Sequence, residues 1–226
     1  ETQSKIIEDL ETQFKNLVIK LLSSEITFKD KNGKDYPKWE IEKLGNIATF
    51  RRGSFPQPYG LPKWYDQAEG FPFIQVFDVG ENMRLKNKTK NKISQLATEQ
   101  SVFAKKGTLI LTIQGSIGRV AKTDFDAYID RTLLIFQSFQ RDINIDFFKY
   151  AIFLLFEVEK EKAPGGIIKT ITKEVLTQFT VPVPSYDEQT KIAEVFTLME
   201  SKLEVEKKIL SSYKYQKQHI LSNLFI

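Results

Sequence analysis

The segment from Thr170 to Ile226 constrains this chain more than any other, because it fixes where a very long helix must start. It passes through Phe179-Thr180-Val181-Pro182-Val183-Pro184. Each proline fixes φ and restricts the residue before it, so the approach is extended and the helix begins after Pro184. Ser185 stands at the N-cap position with Glu188 three residues on, which predicts a capping box. Beyond it Ile192, Phe196, Met199, Leu203, Glu206, Leu210, Tyr213, Lys217, Ile220 and Leu224 follow alternating three- and four-residue spacings. This is a coiled-coil seam with two polar interruptions, and from Tyr186 to Leu224 it would run for roughly 58 Å. A seam of that length needs a partner.

The N-terminus offers one. Ile7, Leu10, Phe14, Leu17 and Leu21 repeat the spacing, and Ile6, Val18 and Leu22 widen the stripe. Position by position they align with Leu210, Tyr213, Lys217, Ile220 and Leu224, flanked by Ile209, Leu221 and Phe225. This reads as an internal repeat whose first copy is cut at Glu1, although any two amphipathic helices can be aligned in this way.

Composition bounds the rest. A chain of 226 residues, 41% hydrophobic and 27% charged, can bury one good core beside an extended element. No apolar run is long enough to span a bilayer and the N-terminus is not signal-like, so a cytoplasmic protein is expected. With no cysteine and one histidine, neither a metal site nor a bound cofactor is expected. Residues 34–184 hold 22 Lys+Arg against 17 Asp+Glu, whereas the flanking helices are close to neutral. That places a polyanion partner on the central region.

In chain order, residues 1–24 form the first helix and 25–36 a polar linker. A mixed domain over 37–184 opens with a helical turn at Trp39–Leu44 and a strand at Ile47–Phe50. Arg51-Arg52-Gly53-Ser54 then enters a proline-rich loop long enough to be either functional or disordered. Phe71–Val79 alternates as a strand. Arg84, Lys86, Lys88, Lys90 and Lys92 recur every second residue. In an extended chain all five share one face, either as phosphate contacts or as an edge strand guarded against aggregation. The strand at Leu109–Ile113 runs into Gln114-Gly115-Ser116-Ile117-Gly118-Arg119. This is a tight turn, an ordinary hairpin or one whose Gln114, Ser116 and Arg119 reach a nucleic acid. Further strands follow within Tyr128–Phe139. Asn144 caps a helix from Ile145 to about Glu161, Pro164-Gly165-Gly166 ends it, and Thr172 caps a short helix. Residues 185–226 are the distal helix.

In this order, several segments resemble half of the DNA-specificity subunit of Type I restriction-modification enzymes. They are Lys43-Leu44-Gly45-Asn46-Ile47-Ala48 with Arg51-Arg52-Gly53; Phe73-Ile74-Gln75-Val76; Leu109-Ile110-Leu111-Thr112 through Gly115-Ser116-Ile117-Gly118-Arg119-Val120-Ala121; and Pro184-Ser185-Tyr186-Asp187-Glu188-Gln189 through Ile192. The resemblance implies an α+β fold: a globular target-recognition domain flanked by two long helices that pair as an antiparallel coiled coil. It implies sequence-specific recognition of double-stranded DNA, without catalysis, alongside modification (methyltransferase) and restriction (translocase and nuclease) subunits. The truncated repeat fits a fragment, or a natural half-subunit that self-associates through its helices. The residues expected on DNA are Arg51, Arg52, Ser54, Arg84, Lys86, Lys88, Lys90, Lys92, Gln114, Ser116 and Arg119. Those expected between helices are Ile7, Leu10, Phe14, Leu17, Leu21, Ile192, Phe196, Met199, Leu203, Leu210, Tyr213, Ile220 and Leu224.

An enzyme reading fails on its motifs. No glycine-rich cofactor loop with an Asn/Asp-Pro-Pro-aromatic partner is present, and no Gly-x-x-x-x-Gly-Lys-Ser/Thr phosphate loop. His219 lies on the long helix, away from any nucleophile. The remaining alternative is a coiled-coil dimeric scaffold whose basic domain binds nucleic acid without sequence preference.

Overall fold

The computed structural model describes residues 2–163 and 171–224, the last of these by its backbone alone. The expected Pro164-Gly165-Gly166 helix stop therefore lies outside the described residues. Two units form, one from Glu1–Lys38 with Ser185–Ile226, the other from Trp39–Pro184.

The helical unit begins with α1 (Thr2–Leu22). The polar segment after it folds around Asp30, whose Oδ1 accepts from Asn32 N and Lys34 N at 2.8 Å each, and an isolated bridge joins Lys29 to Asp35.

In the mixed unit, β1 (Glu40–Lys43) leads to the turn α2 (Leu44–Ile47) and to β2 (Ala48–Arg52). Then come β3 (Phe71–Ile74), β4 (Asn91–Ile93), α3 (Gln95–Thr98) and β5 (Val102–Ala104). The hairpin β6 (Leu109–Thr112) and β7 (Val120–Lys122) is followed by β8 (Ala127–Ile129) and β9 (Leu133–Phe139). Two helices, α4 (Ile145–Lys162) and α5 (Lys173–Gln178), precede β10 (Thr180–Val183). One four-stranded sheet has the order β2-β9-β6-β7 and another β4-β3-β8-β5, while β1 pairs with β10 alone.

Alternation along the strands sorts side chains into three layers. Ile110, Ala121, Leu133 and Ile135 of the first sheet meet Ile74, Ala127 and Ile129 of the second in one buried cluster. The opposite face of the first sheet carries α4, where the Phe136 and Phe148 rings meet edge to face at 5.5 Å. Asn144 caps that helix as expected, accepting from Asp146 N and Phe147 N at 3.0 and 3.1 Å. On the opposite face of the second sheet Phe73 and Ile93 are covered by Phe55, Trp64 and Ala97. The proline-rich loop is therefore ordered, held by its aromatic residues.

Four local expectations need correction. Trp39–Leu44 is not a helical turn, because Glu40–Lys43 finds an extended partner in Thr180–Val183, and the turn comes only at Leu44. The strand at Phe71 ends at Ile74 and Val76–Asp78 forms a 3₁₀ turn, closed by Gln75 N donating to Asp78 Oδ2 at 2.9 Å. Arg84, Lys86, Lys88, Lys90 and Lys92 do not share one strand face, since only Lys92 lies in β4. The Ser185 hydroxyl is buried without a hydrogen-bond partner, so the capping box with Glu188 does not form.

The chain returns to the helical unit with α6 (Tyr186–Leu224), which starts directly after Pro184 as the prolines require. Packing with α1 is antiparallel: Gln3 donates to the Glu206 carboxylate at 2.6 Å, and the Phe14 and Phe196 rings lie 6.0 Å apart. Ile7, Leu10, Phe14, Val18, Leu21, Ile192, Phe196 and Leu203 are buried, whereas Leu17, Met199 and Leu210 are half-buried. Further along α6 the seam opens: Tyr213 is 57% and Ile220 55% exposed. Among the described residues no helix is long and apolar enough to cross a membrane.

Candidate nucleic-acid interface

The first anchor is a close crossing at the end of β2. A Cβ on Gly53 would lie 2.3 Å from the Asp130 carbonyl oxygen and 2.4 Å from that of Ile129, so only glycine permits the approach. Gly53 N donates to Leu133 O at 2.9 Å and Ser54 N to Ile129 O at 3.1 Å. These bonds bring Arg51 and Arg52 beside the turn between β8 and β9. Asp130 builds that turn: it is buried, its Oδ2 accepts from Thr132 Oγ1 at 2.6 Å, and its carbonyl accepts from Leu133 N at 3.0 Å.

From this crossing a continuous chain of contacts runs outward. Arg52 Nε donates to the Arg131 carbonyl. The Arg131 guanidinium lies over the Tyr59 ring, 5.2 Å from its centroid. Gln75 Nε2 donates to the Tyr59 hydroxyl, and Gln75 Oε1 accepts from Asn91 Nδ2 at 2.7 Å. Gln67 Nε2 donates to Asn91 Oδ1 at 3.2 Å, and Gln67 Oε1 accepts from Lys92 N at 3.2 Å. The strip therefore joins the Arg51/Arg52 end to the lysine segment through polar side chains.

Rigidity comes from beneath. Gln75 is only 6% exposed, and a buried amide must have its donors and acceptors met. Phe55 packs against Tyr59, Tyr65 and Phe73 with ring centroids 5.0, 5.5 and 4.6 Å away. Burial first, and then the charge of Asp130, pushes the Tyr59 hydroxyl well above its ordinary range, so it stays a neutral hydrogen-bonding group.

Charge is sorted in the same way. Arg119 pairs with Glu81 and Arg141 with Glu40, whereas Arg51, Arg52 and Arg131 have no carboxylate partner among the described residues. Arg52 and Arg131 meet at this crossing without an ion-pair partner, and guanidiniums so placed can take anions or base edges.

The remaining predicted residues fall into two groups. Lys86, Lys88 and Lys90 are exposed on a loop wrapped around buried Asp78, whose oxygens accept from Gln75 N and Lys90 N at 2.9 Å each. Arg84 is half-buried, and Lys92 Nζ donates to Ala68 O at 3.0 Å. Burial pushes the Asp78 carboxyl up, against those two hydrogen bonds and the charges of Lys86 and Lys90.

The glycine turn splits. Gln114 is exposed, and the preceding Ile113 N donates to Thr132 O at 3.0 Å, which holds this start of the turn at the arginine edge. Ser116 and Arg119 instead line a cavity of about 400 Å³ with Glu81, Phe153, Glu157 and Lys160. Arg119 is spent there on Glu81 and, at 3.2 Å, on the Val79 carbonyl. Ser54 Oγ donates to Gln100 O at 2.8 Å.

Tyr59, Gln67, Gln75, Asn91 and Arg131 were missed by sequence reasoning. The available signals were a glutamine directly after the apolar Phe73-Ile74 and an arginine in the Asp130-Arg131-Thr132 turn between two strands.

Comparison with known proteins agrees with this architecture. The chain is 23% identical over 231 residues to a putative Type I restriction enzyme MjaX specificity subunit of Methanocaldococcus jannaschii, covering 99% of this chain and 52% of that protein. It is 26% identical over 195 residues to the MjaIX specificity subunit of the same organism, covering 81% and 43%. It thus spans about half the length of these relatives. Among solved structures, the HsdS subunit from Thermoanaerobacter tengcongensis superposes with a TM-score of 0.64 at 19% identity, over 99% of this chain and 52% of that one. The Type I restriction-modification S subunit from M. genitalium gives 0.67 at 18%, over 100% and 56%. Residues 36–212 match the family model for the Type I restriction modification DNA specificity domain, and the chain belongs to that family.

Proposed function

We propose that this chain reads one half of a bipartite duplex DNA target on behalf of a Type I restriction-modification complex. The observation that carries this reading is the strip from Arg51 to Lys92, in which carboxylate-free arginines, amides and lysines are linked on one rigid support. Exposed lysines position the duplex through phosphates, and ordered arginine side chains, supported by the bonded amides, read base edges in the major groove. Ser54 and Gln114 border the interface, whereas Ser116 and Arg119 belong to the side of the turn that meets α4, with Arg119 spent on Glu81.

Catalysis belongs to the partners in this reading. A modification subunit would bring S-adenosylmethionine, and restriction subunits would bring translocation and cleavage. The chain supplies specificity and the helical platform for them. The open part of the seam around Tyr213 and Ile220 serves association with a further helix, from a partner or from a second copy. The cytoplasm, where the DNA lies, is the compartment.

The test is competition between a duplex carrying the target and a scrambled duplex, at physiological salt, with the complete specificity protein. A ratio on the order of 10³ or more is expected. A ratio near one would leave the non-specific coiled-coil scaffold as the function.

A further inference from the structure

We infer that Arg131, whose guanidinium lies over the Tyr59 ring, is the residue that reads a guanine in this half-site; the inference rests on the DNA-recognition reading above and assigns its base-reading atoms.

The argument is one of preorganisation. A side chain that discriminates bases must present its donors in a fixed plane, because an unconstrained guanidinium follows any phosphate within reach. Arg51 is exposed with no side-chain partner among the described residues, and so suits the backbone of the duplex. Arg52 has its Nε committed to the Arg131 carbonyl. Arg131 alone is held from several sides. Its backbone sits in the Asp130 turn, its carbonyl is fixed by Arg52, and its guanidinium carbon lies over the Tyr59 ring, 5.2 Å from the centroid.

The ring contact restrains the guanidinium, and its planar N–H fork makes no hydrogen bond among the described residues. That geometry matches guanine O6 and N7, the bidentate arginine contact of the major groove. Tyr59 is the positioning residue: Gln75 holds its hydroxyl and Asn91 holds Gln75 at 2.7 Å, so the stack is tied to the β3–β4 pair. Lysine in place of Arg131 would keep the charge and lose the fork.

The experiment uses the complete specificity protein, in complex with its modification partner, and a duplex series in which each guanine of the target is replaced by 7-deazaguanine, which lacks the N7 acceptor. With wild-type protein, one guanine should be sensitive, with a loss of roughly 10-fold on replacement. Arg131→Lys should lower affinity for the parent duplex by a similar factor, leave the scrambled duplex bound as before, and lose sensitivity at that one guanine. Because Arg131 is exposed, retained binding of scrambled DNA also reports that the variant is folded. Unaltered sensitivity in Arg131→Lys, or no sensitive guanine in wild type, would overturn the assignment. Equal affinity of the wild-type protein for target and scrambled duplexes would instead overturn the broader reading.

Discussion

The Cα of Gly118 faces the ring of Phe156: a Cβ built there would lie 2.7 Å from Phe156 Cδ1 and 2.9 Å from its Cβ and Cγ. Gly118 also has φ of +89°, a region that side chains rarely adopt. Two glycines three apart on a hairpin suggest a backbone that approaches a ligand. Here the second of them is required by helix α4, which comes within contact of the turn. The turn is locked further by Thr112, whose hydroxyl accepts from Arg119 N at 2.9 Å and donates to Ser116 O. It is a structural joint with its first residue, Gln114, left exposed.

Gly118→Ala should therefore destabilise the fold by about 2 to 5 kcal/mol, combining left-handed strain with overpacking. Urea denaturation measures this. In a double-mutant cycle, Phe156→Leu should recover about 1 kcal/mol of the loss. Strictly additive losses would show that the ring is not what the Cβ meets.

A second prediction concerns Asp78. Both carboxylate oxygens accept backbone N–H groups, from Gln75 and from Lys90, so an amide in its place would turn an NH₂ group toward a donor. Asp78→Asn should cost about 1 to 3 kcal/mol although it removes a buried charge. The pH dependence has a definite sign. Burial raises the folded pKa above the ordinary carboxyl range, so between the two pKa values the folded chain holds a proton that the unfolded chain has already released. The stability due to this group is fully present below the unfolded pKa and is lost as pH rises through the folded one. The gap between wild type and Asp78→Asn should therefore widen as pH falls from neutral, and a gap that narrows would contradict the shift.

How much could be read in advance follows the range of the interactions. The start of α6 after Pro184, the Asn144 cap and the Thr172 cap depend on neighbours a few residues away, and each is found. Strand β1 was misread because its partner lies some 140 residues further on, at Thr180–Val183. The lysine segment kept its period of two in sequence and lost it in space, because buried Asp78 gathers the loop onto itself. For the proposed interface, residue type alone singles out the cations Arg51, Arg52 and the lysines as candidates. The Tyr59–Gln75–Asn91 link joins residues 16 apart at each step, and although a glutamine directly after Phe73-Ile74 stands out, nothing local to it names its two partners.

The loop geometry divides the lysines by role. Lys86 and Lys88 are exposed and make no side-chain hydrogen bond or ion pair among the described residues, although the charge of Lys86 is felt by Asp78, whereas Lys92 is bound to the Ala68 carbonyl. Replacing Lys86 and Lys88 with Gln should weaken binding to target and random duplexes alike and reduce the salt slope by about 0.9 per lost phosphate contact. Lys92→Gln should instead lower stability with little change in slope. An unchanged slope in the Lys86/Lys88 variant would reduce these residues to solubility devices.

The final prediction separates the two parts of the long helix. Phe196 is fully buried and lies 6.0 Å from Phe14, so Phe196→Ala removes a ring from a closed interface. A loss of about 3 to 5 kcal/mol is expected for the helical unit. Ile220 belongs to the same seam by sequence spacing but is 55% exposed. Ile220→Ala in this chain should change stability by no more than about 0.5 kcal/mol, as for a surface site. The two variants can be compared by the helical circular-dichroism signal during urea unfolding. If a further helix covers the open end of the seam in the assembled complex, Ile220→Ala should then weaken that association while the isolated chain is unaffected. Equal destabilisation by both substitutions in the isolated chain would mean that the whole seam is already closed, and the association surface would have to be sought elsewhere on the helices.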